Sequence, residues 1–272
     1  MPMDMEADII RWNGDASTPY KDRIAVEAPL EILVNGRSLA VTMRTPGDDF
    51  DLAAGFLFTE SIISSASDIR SSAHCGMLGD PDEMNLLNVI LHENVKYDSE
   101  KASLQRNFLA TSSCGVCGKA TLSAVQCKAP PLPDSPFTIL PSVLRSLNDQ
   151  LRKAQSAFER TGGLHAAGLF NLSGELQSLR EDVGRHNAVD KLIGSEALAN
   201  RTPLCERIMM ISGRASFEIM QKAAVARIPV ICAVSAPSSL AVLMAKDLNM
   251  TLVGFLRGET MNVYAGAGRI KF

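Results

Sequence analysis

The chain has 272 residues, 46% hydrophobic and 21% charged, with a formal net charge of -3. That is enough to bury a large core, in one domain or two smaller ones, with the balance of a soluble globular protein. The charge excludes a global basic field for nucleic acid, leaving room only for a local basic patch, and no apolar run is long enough to span a membrane.

Residues 1–22 are polar and read as irregular. Their acidic start lacks the basic end and apolar centre of a secretory signal, so a cytoplasmic protein is expected. Leu30 to Val34 and Ser38 to Arg44 are β-rich runs around Asn35-Gly36, the strongest short hairpin signal. Thr45-Pro46-Gly47-Asp48 breaks the pattern. Asp48 is positioned to cap a helix over Asp49 to Thr59, with Phe50, Ala53, Ala54 and Leu57 on one face. Strands are expected over Asp68 to Ala73 and Leu86 to His92, with a turn-rich loop between them at Gly76 to Met84.

Next comes Thr111-Ser112-Ser113-Cys114-Gly115-Val116-Cys117-Gly118-Lys119, leading into a short helix from Lys119 to Cys127. Lys128 to Pro141 contains five prolines, which marks a linker or rigid surface loop. Pro141 suits the first turn of a helix whose apolar face carries Leu144, Leu147, Leu151, Ala154 and Phe158.

From Gly162 the pattern changes. Strands Leu164 to Asn171 and Glu175 to Glu181 precede a helix from Gly184 to Ala199. Then come strand Arg207 to Ile211, helix Ser216 to Ala226, strand Pro229 to Val234, helix Ser238 to Leu248 and strand Thr251 to Leu256, with Asn262 to Ala265 as a last strand. Such alternation predicts an α/β layer with a largely parallel sheet. The expected division is a β-rich subdomain over residues 1–127 ending in the Cys-x-x-Cys loop, a proline-rich linker over 128–141 and an α/β cofactor-binding domain over 142–272.

Several polar clusters fall at predicted strand ends: Ser212-Gly213-Arg214-Ala215-Ser216, Ser235-Ala236-Pro237-Ser238-Ser239 and Arg257-Gly258-Glu259-Thr260. In open α/β sheets ligands bind outside the carboxyl ends of strands, where helix N-termini offer free N–H groups to phosphate. Arg214 and Arg257 add charge. Glu181-Asp182-Val183-Gly184-Arg185-His186-Asn187 repeats the logic, with Arg185 and His186 at a helix start and two acids able to accept bonds from a base or ribose. Each loop alone is an ordinary turn or cap; together they ask for a large polyanion such as a nucleotide. None is a P-loop or a Gly-x-Gly-x-x-Gly fingerprint, so neither a nucleotide hydrolase nor a dinucleotide dehydrogenase is supported.

Thr161-Gly162-Gly163-Leu164-His165-Ala166-Ala167 is the other unusual stretch. Zinc deaminases carry His-x-Glu and a later Pro-Cys-x-x-Cys. Here Ala167 stands where the proton-transfer acid would be, and the cysteine pair precedes the histidine. His165 is either a ligand contact or a hydrogen-bonded histidine beside the site.

Six cysteines occur. Cys232 lies in an apolar run and is expected to be an inert core residue, and Cys127 and Cys205 read as structural. Cys75 beside His74 is too little for a metal site, and His92 carries no signal. Cys114 and Cys117 are different: flanking glycines leave both sulfurs accessible, and Lys119 with a following helix start favours thiolate. Four readings compete. They are a zinc site, a thioredoxin-like dithiol, a structural pair, and a persulfide carrier working by thiol–disulfide exchange chemistry.

Thr111 to Lys119, Thr161 to Ala167, Glu181 to Lys191, Ser212 to Lys222, Ile228 to Val242, Thr251 to Tyr264 and Gly55-Phe56-Leu57-Phe58-Thr59-Glu60 together resemble the formate dehydrogenase accessory sulfurtransferase family, over about residues 25 to 270. Ser61 and Ser238 depart from it, where Gly and Thr are usual, without touching the chemistry. The resemblance implies a cytidine-deaminase-like mixed sheet with flanking helices, a homodimer, and a cytoplasmic sulfurtransferase. Sulfur would pass from a cysteine desulfurase to the molybdenum bis-guanine-dinucleotide cofactor before that cofactor enters the formate dehydrogenase catalytic subunit. Cys114 would bear the persulfide, and Cys117 would assist or be dispensable. Phe255, Leu256, Arg257, Gly258, Glu259 and Thr260 would contact the guanine-nucleotide portion, where a guanine nucleotide alone would also fit. Ser212, Gly213, Arg214, Arg185, His186 and His165 complete the expected cofactor contacts, with no resident metal. The rival functions are a non-catalytic cofactor chaperone and a zinc-stabilised nucleotide-binding module.

Overall fold

The computed structural model describes residues 1–77, 79, 83–96, 129–134 and 136–271, and the backbone of 109–110. Cys114, Cys117, Cys127 and the helix expected from Lys119 lie outside these residues.

The first strands are β1 (Asp4–Asn13) and β2 (Ala16–Ala25), an antiparallel ribbon. Residues 1–22 are therefore not irregular. The ribbon is exposed along most of both faces, so burial imposes no apolar alternation to read. Its turn is nevertheless encoded: Asn13 is followed by Gly14, whose φ of 62° is what a tight hairpin turn demands. Asp4 clasps the ribbon to the body, accepting from Arg23 on β2 and, at 2.7 Å, from Arg160.

A five-stranded sheet follows, in the order β5-β6-β3-β4-β7. Its strands are β3 (Ala28–Val34), β4 (Arg37–Arg44), β5 (Ile69–His74), β6 (Leu86–Leu91) and β7 (Leu109–Ala110). The Asn35-Gly36 turn forms as expected, with φ of 51° and 77°. It is pinned to β6, where Asn35 Oδ1 accepts from Leu91 N and Gly36 N donates to Asn88 Oδ1. Helix α1 (Asp49–Thr59) starts after Asp48, but Asp48 does not cap it: its backbone is left-handed, at φ 55°, and its side chain makes no cap bond. Ala53, Ala54 and Leu57 are buried as expected, whereas Phe50 is 42% exposed and Leu52 takes its place in the core.

Helix α2 (Pro141–Ala154) begins at the predicted proline and buries Leu144, Leu147 and Leu151. It ends at Ala154, so Phe158 belongs to a separate short helix, α3 (Ser156–Thr161). The described part of the proline-rich stretch is docked: Leu132 is buried and its N–H donates to the Leu248 carbonyl.

The second sheet has six strands, ordered β13-β12-β11-β10-β8-β9. They are β8 (His165–Phe170), β9 (Leu176–Asp182), β10 (Ile208–Ile211), β11 (Val230–Ala233), β12 (Thr251–Arg257) and β13 (Thr260–Ala265). Helices α4 (Arg185–Leu198), α5 (Phe217–Val225) and α6 (Ser239–Asp247) alternate with them. Only β10/β11 and β11/β12 run parallel; the other three pairings are antiparallel, so the sheet is mixed rather than largely parallel. The hairpins β8–β9 and β12–β13 supply antiparallel edges that helix–strand alternation alone does not reveal.

Side chains alternate across this sheet. Ile208 and Met210 join the core under α2, while Met209 and Ile211 join a larger core shared with α1, α4, α5 and the first sheet. Helices α1 and α4 cross at Gly55 and Gly194. A Cβ at Gly55 would sit 1.8 Å from the Asp190 carbonyl oxygen, and one at Gly194 would sit 1.9 Å from that of Asp51. No helix among the described residues is long and apolar enough to cross a membrane.

Candidate functional site

Register brings the predicted clusters to one edge of the six-stranded sheet. The C-terminal ends of β10, β11 and β12 lie there. So do the first residue of β8, His165, and its cross-strand partner Asp182 at the end of β9. Helices α4, α5 and α6 all start from this edge and turn their positive dipole ends toward it. From β12 to β8 is three strand spacings, about 14 Å, which suits an extended ligand better than a single small anion.

The loops are tied together. Ser212 N donates to Ala166 O and Ser212 Oγ accepts from Ala166 N at 2.9 Å. A Cβ on Gly213 would sit 3.4 Å from His165 Nδ1 and 3.7 Å from Arg185 Cδ, so His165, Arg185 and Gly213 converge. His186 Nε2 lies 3.1 Å from Ser216 Oγ and 3.0 Å from Glu218 Oε2. Arg214 is exposed. Burial first, and then the charges of Arg185, His186 and Arg214, push His165 below the ordinary histidine value against an opposing pull from Asp182. The His165 ring thus sits where burial and neighbouring arginines oppose its protonation.

At the far end Phe255 is 40% exposed and held at φ 52°, a strained left-handed backbone for a side chain of its size. Its N–H donates to Ser235 O at 3.2 Å, and Arg257 Nε donates to Val234 O at 2.9 Å. Gly258 turns the chain at φ 52°. Three of these residues are committed otherwise. Leu256 has its side chain buried in the α2 core, Thr260 Oγ1 donates to Arg257 O, and Glu259 pairs with Arg145 of α2 at 2.6 Å.

The two acids read as partners for a base or ribose are structural instead. Glu181 accepts from Ala157 N at 3.0 Å and Phe158 N at 2.8 Å, fastening α3. Asp182 is fully buried. It accepts from Thr45 N at 3.1 Å and Gly184 N at 2.8 Å, and pairs with Lys191 at 2.8 Å. Lys191 also donates to Thr45 O, and Asn187 Nδ2 donates to Met43 O at 2.7 Å. One turn on, Asp190 pairs with Lys222 at 2.8 Å and accepts from Thr59 Oγ1. Asp182, Asn187, Asp190 and Lys191 therefore stitch α4 to β4 and α1, leaving Arg185 and His186 for the rim. Sequence reasoning missed Glu218; its one signal is an acid in the first turn of a helix that starts from a rim loop.

Outside the rim, Cys75 and Cys205 are exposed, and Cys232 is buried with its thiol pushed up to about 12. A cavity of about 190 Å³ lies between Arg44, Phe50, His74 and Met84. Its guanidinium is spent on Asp49 and on backbone carbonyls, so it offers an anion little. Among the described residues no group of three or more His, Cys, Asp or Glu could hold a metal ion.

The loop edge of this mixed α/β sheet brings arginines and helix N-termini together, an arrangement whose charge suits an anion. The profile of the FdhD/NarQ family matches residues 25–271, and the chain belongs to that family. It is 49% identical over 266 residues to the sulfur carrier protein FdhD of Streptomyces coelicolor, covering 96% of this chain and 94% of that one. The sulfur carrier protein FdhD of Anaeromyxobacter dehalogenans is 44% identical over 272 residues, with 97% and 93% covered. A crystal structure assigned as a formate dehydrogenase accessory protein from Desulfotalea psychrophila superposes with a TM-score of 0.76 at 27% identity, covering 99% of this chain and all of the other.

Proposed function

We propose that this chain is a cytoplasmic sulfurtransferase, working as a homodimer, that serves formate dehydrogenase. It takes sulfur from a cysteine desulfurase as a persulfide on Cys114 and passes it to the molybdenum bis-guanine-dinucleotide cofactor, bound as substrate along the rim. The Cys114 thiolate attacks the outer sulfur of the donor persulfide. A new S–S bond forms, the donor's S–S bond breaks, and the donor cysteine leaves as a thiolate. Arg185, His186, Arg214 and Arg257 would hold the phosphoryl oxygens of the acceptor, with the N-termini of α4 and α5 behind them.

The observation that carries this reading is the path of β7. It pairs in parallel with β4, Thr42 opposite Ala110, and so runs toward Met43. Thr42 Oγ1 donates to Asn187 Oδ1 at 3.2 Å, and Asn187 follows His186 directly. Cys114 comes four residues after Ala110, and four residues span at most about 14 Å. Ala110, the last described residue before the cysteine pair in sequence, thus lies on the strand beside Thr42 and its contact to Asn187. The names of the relatives support the same direction of chemistry.

Incubation with a cysteine desulfurase and cysteine, followed by mass spectrometry, should locate a sulfur adduct on Cys114. Cys114→Ala should abolish formate dehydrogenase activation while nucleotide binding persists. Full activation by Cys114→Ala would leave a non-catalytic cofactor chaperone as the reading, and stoichiometric zinc in the purified protein would favour a zinc-stabilised module.

A further inference from the structure

Among the described residues six acidic side chains are almost fully buried, and each has both carboxylate oxygens bonded. Asp4 is held by Arg23 and Arg160, Asp49 by Arg44, Glu181 by two backbone N–H groups and Glu196 by Arg201 and Ser178. Asp182 and Asp190 are held by the lysines and their neighbours described above. That is the pattern of acids that staple a fold, since an unpaired buried oxygen is costly.

Glu218 breaks the pattern. Its side chain is 12% exposed; Oε2 meets His186 Nε2, while Oε1 is buried with no hydrogen-bond partner among the described residues. The neighbouring Ser216 behaves as oddly. It occupies the N-cap of α5, where a serine usually accepts from the helix backbone, yet it makes no cap bond and turns its hydroxyl to the same ring nitrogen. Burial alone would raise the Glu218 carboxyl; the hydrogen bond and charge of His186 outweigh it and hold the group below the ordinary glutamate value.

We propose that Glu218, with Ser216, is a positioning residue that fixes the proton of His186 on Nε2 and so presents Nδ1 to a phosphoryl-bearing ligand on the rim. A carboxylate only accepts, so its 3.0 Å contact requires the hydrogen on Nε2. The other nitrogen, Nδ1, has no bond to any described residue. It is bare in the neutral ring and an N–H donor in the imidazolium, the form that grips phosphate. Glu218 thereby does for a ligand-facing histidine what carboxylates do behind metal-bound histidines: it orients the ring and chooses the tautomer. The inference rests on the rim being the ligand site.

Two measurements test it together, with GDP and inorganic pyrophosphate as probes. Ring ¹⁵N shifts of histidine-labelled protein, assigned with His186→Asn, should show Nε2 protonated in the wild type, with Nδ1 moving when GDP is added. Glu218→Gln keeps an acceptor oxygen but loses the charge that favours the imidazolium, so its GDP affinity should fall between those of the wild type and Glu218→Leu. Glu218→Leu should lose the tautomer bias and bind GDP about tenfold more weakly, the size of one charge-assisted hydrogen bond. In a His186→Asn background, Glu218→Leu should cost nothing further, which separates positioning from general damage to α5. Wild-type tautomer and affinity in Glu218→Leu, or an undiminished loss in the double variant, overturns the role of Glu218 alone. Failure of the wild type to bind either probe overturns the rim as well.

Discussion

The seam between the two sheets and the rim above it draw on the same stretch of chain, Glu181 to Lys191, and handle polar groups in opposite ways. In the seam every charge is answered. Asp182 with Lys191, Asp190 with Lys222, and the backbone of Thr45 form closed networks in which donors and acceptors match. On the rim Glu218 meets His186 through Oε2 and leaves Oε1 without a hydrogen-bond partner among the described residues, and Arg214 is exposed. A closed network rigidifies but has nothing left to bind with. An unclosed one costs stability and keeps its donors for a ligand. Saturation, more than residue type, separates scaffold acids from ligand-facing ones here.

The comparison breaks most visibly at the seam. Gly194→Leu would drive a side chain into the Asp51 carbonyl and should cost about 3 kcal/mol or more, enough to leave little folded protein; a wild-type urea midpoint would mean the helices can part cheaply. Lys222→Met strands Asp190 and should cost about 3–5 kcal/mol, while Lys222→Met with Asp190→Leu should recover most of it. Equal losses in single and double variants would show that the pair does more than neutralise itself.

On the rim the signature reverses. Arg214→Ala should leave the urea midpoint within about 0.5 kcal/mol yet weaken pyrophosphate binding roughly five- to tenfold, most clearly at low salt. A stability loss with unchanged binding would move Arg214 into the scaffold. The smallest effect is protonic. His165 titrates lower folded than unfolded, so its contribution to stability is fully present above the ordinary histidine value and is lost as pH falls through the folded one. Burial lowers the His165 midpoint most, and a bound polyanion offsets the cations that add to that effect, so it should move that midpoint up in an NMR titration; an unmoved midpoint would put the anion elsewhere.

The order of strands and helices from Gly162 onward was legible because each element is buried on a face that its apolar period reveals. The rim was legible for the same reason, since once the strands are located, their loop ends follow. The roles of Glu181 and Asp182 were not. They read as ligand-facing acids beside a helix start, but Asp182 is bonded to Thr45, distant in sequence, and nothing local announces such a partner. The ribbon of residues 4–25 escaped because exposure on both faces erases alternation, although Asn13-Gly14 was there to find. Glu218 escaped because a helix-start acid is ordinary until its idle oxygen is seen.

The crossing of Gly55 and Gly194 also limits how this chain can diversify. When two helices meet through side chains, a larger residue on one can be accommodated later by a smaller one on the other. Here the obstacles are carbonyl oxygens, of Asp190 and Asp51, which every amino acid carries. Neither glycine has a compensating partner to shrink, so the route through paired substitutions is closed. Change in the protein must accumulate elsewhere, in loops and on the ribbon, around a contact that no second mutation can repair.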